Sequence, residues 1–199
     1  MVQKLTVDAL VRSIGVSRDK PLLVFLGAGA SISSGMPSAY QCIWTWKRAI
    51  FLTNHPGLER QFEELSLPSV RQRIQAWCDS QKLYPAEGAA EEYSAYIEAC
   101  LPRAEDRRRF FQNWVKTAKP SLGYQLLAEL ARQRLIGAVW TTNFDSLAMR
   151  AATAIGIPVI EVGRDSKERI DRAISTDELL HVAMHGDYRY RSEERRVGK

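Results

Sequence analysis

Paired cysteines are missing from this sequence: its three, Cys42, Cys78 and Cys100, lie far apart and form no Cys-x-x-Cys motif. A structural zinc site built on thiolate pairs is therefore not expected in this stretch, and no metal is assigned to it. Sparse, odd-numbered cysteines read as reduced thiols. Long apolar runs are missing too. None approaches the roughly 20 residues needed to cross a bilayer, and charges interrupt the first segment, MVQKLTVDALVRSIGVSRDK, every few positions. That pattern lacks the apolar core of a secretory signal, so the expectation is a cytoplasmic protein with no membrane partner. Charge of one sign is modest. The formal +5 includes Arg191, Arg195, Arg196 and Lys199 against Glu193 and Glu194 in the last nine residues, which leaves +3 for residues 1–190. That surplus gives no direct evidence for nucleic-acid binding.

What is present suits one globular domain. A hydrophobic share of 45% over 199 residues is enough for a substantial core. Leu5, Leu10, Val11 and Ile14 have helical spacing. Leu22-Leu23-Val24-Phe25-Leu26 is a continuous apolar run ending in glycine, which predicts a strand buried on both faces of a parallel sheet. From about residue 40 to 130 the pattern is helical, punctuated by Pro56-Gly57, Pro68, Pro85, Pro102 and Pro120. Phe110, Trp114 and Val115 fit one helical face there, as do Leu126, Leu127, Leu130 and Ala131. Strand signals return at Ile136–Thr142, Ile157–Val162 and Leu179–Met184, with helical stretches at Ser146–Ile155 and Ser166–Ile174. Strand alternating with helix is the rhythm of an α/β, doubly wound parallel sheet, with the long helical section as an insertion.

Three clusters carry chemistry. Gly27-Ala28-Gly29-Ala30-Ser31 comes directly after the first strand. Glycines there permit a sharp turn and close approach to a phosphate, although Ile32 stands where a third glycine of G-x-G-x-x-G would fall. By spacing alone, nucleotide binding and a simple tight turn stay open. Ser33-Ser34-Gly35-Met36-Pro37 extends the loop with turn-forming residues. Thr141-Thr142-Asn143-Phe144-Asp145 ends the second strand. Ligands of open α/β sheets sit beyond the carboxyl ends of strands. Asn143 suits a water or ribose hydroxyl and Asp145 a hydrogen-bond donor; capping of the next helix is the alternative for both. His185-Gly186-Asp187 again lies just past a strand. An imidazole near neutral pKa suits general-base work, and Gly186 allows close approach. His55 and His181 lack such company and read as structural.

Taken together and in this order, GAGAS with SGMP, TTNFD and HGD resemble the motifs of the silent-information-regulator, or sirtuin, family, which are GAG-x-S with a GIP-like stretch, TQN-x-D and HG. PSLGYQLLAELARQRLIGAVWTTNFD is similar to the helix and strand that lead into the family's asparagine motif. The resemblance covers roughly residues 20–190. It implies a Rossmann-like site for NAD, taken as substrate. Gly27, Ala28, Gly29, Ala30 and Ser31 would lie near the phosphates, with Met36, Pro37, Thr142, Asn143 and Asp145 completing the site. Asn143 and His185 would be catalytic, His185 as the base.

One departure bears on the reaction. Where the family's protein deacylases continue with Asp-Phe-Arg, this chain has Ser38-Ala39-Tyr40. The resemblance then points to the divergent branch that hydrolyses NAD to nicotinamide and ADP-ribose, often an effector in bacterial antiphage defence joined to a larger sensing region; a homo-oligomer is a separate partner expectation for this chain. An NAD-dependent lysine deacylase and a catalytically silent nucleotide-binding module are the alternatives. The tail RSEERRVGK matches the in-frame translation of a common sequencing adapter, so residues 191–199 are read as a processing scar. With residues 1–190 as the N-terminal part of a longer domain, the sheet is expected to be incomplete and the chain poorly soluble and nearly inactive.

Overall fold

Four short apolar runs become the four strands of one sheet. The computed structural model describes residues 6–16, 20–163, 166, 169 and 177–184. The strands are β1 (Leu22–Leu26), β2 (Ile136–Thr141), β3 (Val159–Val162) and β4 (Leu179–Ala183), in the order β1-β2-β4-β3. All three pairings are parallel, with Val24 opposite Val139, Val139 opposite His181 and Ile160 opposite Leu180. Parallel neighbours need long crossover connections, and the described ones are helical. The helices are α1 (Val7–Val16), α2 (Ala39–Asn54), α3 (Pro68–Gln81), α4 (Glu92–Cys100), α5 (Ala104–Thr117), α6 (Leu122–Arg132) and α7 (Leu147–Ala154). The result is a mixed α/β protein with a four-stranded parallel sheet.

The chain divides into two compact units: Met1–Gly35 with Ala118–Lys199, and Met36–Thr117. The first is the α/β unit. All five residues of β4 are buried, as befits an interior strand whose two faces are covered. Ile160, Val162, Leu180 and Val182 cluster there with Ala138 and Trp140. Helix α6 packs on α7 and β2, and α7 touches β3 and β4.

Two sequence expectations are corrected in this unit. The run Leu22–Leu26 forms a strand, but not one buried on both faces: Leu23 is 58% and Phe25 59% exposed. Strand β1 stands at the end of the strand order, and five consecutive apolar residues do not say which place in a sheet they take. Helix α6 buries Tyr124, Leu127 and Ala128, while Leu126 and Leu130 of the expected face are exposed together with Leu122. With apolar residues on two faces of the helix, spacing alone could not choose the inward one. The helix expected at 166–174 falls almost wholly outside the described residues.

The second unit is helical. Leu67 leads into Pro68 at the first turn of α3, where a missing N–H costs nothing. Helix α2 begins with a reciprocal cap: Ser38 Oγ accepts from Gln41 N at 3.2 Å and Gln41 Oε1 accepts from Ser38 N at 2.8 Å. It packs on α3 and α4 around Trp46, Phe62, Ile74, Cys78 and Tyr96, all enclosed. Lys47, fully buried, pairs with Glu92, donates to Gln75 Oε1 at 2.6 Å and lies over the rings of Trp44 and Tyr96. A buried cation is tolerated only with such complete company. The His55 ring stacks on Phe51 with Nδ1 2.9 Å from the Phe51 carbonyl, a structural role. Burial raises the Cys42 thiol to about 11, so it stays protonated and inert. Among the described residues no helix is long and apolar enough to cross a membrane.

Candidate functional site

The carboxyl ends of β1 and β2 are neighbours, because Leu26 pairs with Thr141. The two loops that leave these strand ends therefore meet. After β1 the chain turns at Gly27 into a short 3-10 helix, Ala28–Ser34, with Ala30 N donating to Gly27 O at 3.0 Å. Gly35 ends it at φ +89°, a left-handed conformation that favours glycine. After β2, Thr141 Oγ1 donates to Leu26 O at 3.2 Å and accepts from Asn143 N at 2.9 Å. Those two bonds bend the chain so that Asn143 faces the Gly27 turn.

Ser31 is the hub. Its hydroxyl donates to Asp145 Oδ2, lies 2.9 Å from the Tyr124 hydroxyl, and accepts from Asn143 Nδ2 at 3.0 Å. A serine hydroxyl has one proton and two acceptor positions. With the proton given to the carboxylate, both remaining positions are filled, so the Tyr124 phenol is a donor. Burial pushes the Tyr124 pKa up, hydrogen bonding with Ser31 opposes the shift, the Asp145 charge raises it further and hydrogen bonding with Asn143 lowers it again, the net direction being up. The phenol therefore keeps its proton. Ser31, Tyr124, Asn143 and Asp145 are all buried, and a satisfied buried network is rigid.

Asn143 is oriented without ambiguity. Its Nδ2 also donates to the Gly27 carbonyl at 3.0 Å, and a carbonyl cannot donate, so nitrogen must face it. Both amide protons are engaged, and no described residue donates to Oδ1. Asp145 serves two readings at once: Oδ2 holds Ser31, while Oδ1 accepts from Leu147 N at 3.0 Å at the start of α7. Between them Ser146 sits at φ +55°, an uncommon conformation for a non-glycine residue. Asn143 caps no helix; its side chain is spent on the Gly27 turn.

Gly27 and Gly29 are informative in another way. A Cβ at either position would meet no atom within 4 Å, and neither has a positive φ. Neither packing nor backbone torsion requires glycine there. What a missing side chain still provides is room for something to approach the backbone. Ala28 and Gly29 are exposed, Ala30 is half-buried, and Ser31 closes the turn inward.

The structure thus brings Gly27, Ser31, Asn143 and Asp145 together, and Thr142 N donates to Leu26 O at 3.2 Å beside them. Met36 and Pro37 are the first residues of the helical unit, Met36 buried and Pro37 half-buried. His185, Gly186 and Asp187 lie outside the described residues; Met184 just before them donates its N–H to Thr141 O at 2.9 Å. Tyr124 is a site residue that motif spacing does not reveal. A tyrosine amid the apolar positions of α6 was the available signal, since a buried phenol needs a partner. No group of three or more His, Cys, Asp or Glu side chains able to hold a metal is found among the described residues. No protein-family model matches the chain, and a search of curated proteins returns no match.

Proposed function

We propose that the α/β unit is a Rossmann-like, doubly wound nucleotide-binding domain carrying a helical insertion, and that it cleaves NAD to nicotinamide and ADP-ribose. The observation that carries this reading is the fixed Asn143 amide beside a glycine turn that nothing in the fold demands. Gly27 and Gly29 leave the backbone open to a pyrophosphate. Asn143, with its N–H groups committed, offers Oδ1 as an acceptor for a ribose hydroxyl or for the attacking water. Asp145 and Ser31 hold it there.

The chemistry asks little of the protein in acid catalysis. The C1′–N bond breaks with its electron pair passing to the cationic nicotinamide ring, which leaves neutral. Water forms the new C1′–O bond and gives up one proton, for which His185 is the acceptor the family resemblance implies. Positioning and electrostatic support of the oxocarbenium-like centre supply the rate. A place in antiphage defence, with a sensing region elsewhere in the protein, rests on that same resemblance.

Product analysis tests the reading. The protein incubated with NAD alone should release nicotinamide and ADP-ribose in equal amounts. Release only in the presence of an acylated peptide would replace hydrolase with deacylase, and NAD binding without release would leave a silent binding module.

A further inference from the structure

We propose that Tyr124 is a positioning residue for this site: its phenol, donated to Ser31 Oγ, locks the serine between Asp145 and Asn143 and so holds the asparagine amide in its working orientation. The inference rests on the NAD-cleavage reading for its reaction, but the hydrogen-bond geometry stands apart from it.

Ser31 can satisfy Asp145 only by pointing its single proton at Oδ2. In that rotamer its two acceptor positions face Tyr124 and Asn143, and both are filled. If the phenol is removed, the serine loses a donor in a buried setting, where an unfilled position is costly. The hydroxyl then gains a reason to rotate, and rotation releases Asp145 and one of the two acceptors that fix the Asn143 amide. The Gly27 carbonyl remains as the second, but one hydrogen bond leaves the amide free to swing about it. Tyr124 comes from α6, whereas Ser31 lies beyond β1 and both Asn143 and Asp145 lie beyond β2. The phenol therefore ties a helix to both strand ends, a link that the burial of Leu127 and Ala128 on the same helix does not itself provide. Burial keeps the phenol protonated, so the lock is present throughout the ordinary pH range.

The test is Tyr124→Phe, which keeps the ring and deletes the hydroxyl. Expected is a fall in kcat of roughly tenfold to a hundredfold with KM for NAD nearly unchanged, the signature of lost positioning rather than lost binding. The double variant Ser31→Ala with Tyr124→Phe should lose far less relative to Ser31→Ala than Tyr124→Phe loses relative to the parent, because the phenol acts chiefly through the serine and only secondarily through its own contact with Asn143. Hydrogen exchange of the Asn143 side-chain amide, assigned by its disappearance in Asn143→Ala, should quicken roughly tenfold or more in Tyr124→Phe. If Tyr124→Phe fails to fold, Ser31→Ala breaks the same link from its other end, and the amide exchange should quicken there. Unchanged kcat and unchanged amide exchange in Tyr124→Phe would overturn the proposal. If the parent protein releases no nicotinamide, the hydrolase reading falls separately, and the amide exchange alone decides whether Tyr124 holds Asn143.

Discussion

The core of the helical unit and the α1–β1 part of the α/β unit treat apolar side chains differently. In residues 36–117 Trp46, Phe62, Ile74 and Tyr96 are almost wholly enclosed, while Tyr40, Leu67, Leu83 and Trp114 stay exposed at the margins. In the α/β unit, α1 buries none of its described residues, and β1 leaves Leu23 and Phe25 more than half exposed. The helical unit encloses Lys47 with Glu92 and Gln75 among its aromatic rings, whereas the polar network of the candidate site sits in the α/β unit, at the ends of β1 and β2. Order at the candidate site therefore comes from hydrogen bonds among Ser31, Tyr124, Asn143 and Asp145, not from a closed hydrophobic shell around the edge strand.

The contrast can be broken by matched truncations. Phe62→Ala should lower unfolding free energy by about 3–5 kcal/mol, the usual cost of emptying a large enclosed aromatic position. Phe25→Ala, on the exposed strand, should cost about 1 kcal/mol or less. Urea denaturation of both variants measures the difference. Similar losses would mean that β1 is covered in solution.

A smaller effect sharpens the comparison inside the helical unit. Ser38→Ala removes one half of the cap on α2 and should cost about 1 kcal/mol, read by the same denaturation. A separate effect is in pH. Burial raises the folded Cys42 thiol from 9.0 to about 11, so between those values the unfolded chain has lost a proton that the folded one keeps. Stability should therefore fall as pH rises through that window. Cys42→Ala should flatten the slope.

Much of the fold was legible because its signals are local. Apolar runs ending in glycine or threonine marked β1 and β2, and the sparsity of strand signals between residues 40 and 130 marked the helices. Position in the sheet was not legible. Leu22–Leu26 reads the same whether flanked by one strand or two, so its exposed face came as a correction. The inward face of α6 was hidden for a related reason, since Leu126 and Leu130 match Leu127 in chemistry and only tertiary packing separates them. At the site, motif order named Ser31, Asn143 and Asp145, but their mutual hydrogen bonds join residues more than a hundred positions apart. Tyr124 escaped for the same reason: nothing local to PSLGYQLL says that its hydroxyl reaches Ser31.

The central claim is that Asn143 directs NAD cleavage at the ends of β1 and β2. The most direct measurement is nicotinamide release from NAD by the parent protein and by Asn143→Ala, with circular dichroism to confirm that both are folded. The expected result is slow release by the parent, in keeping with the incomplete sheet expected from the sequence, and a loss of roughly a hundredfold or more in the variant. Equal release by the two folded proteins would contradict the account.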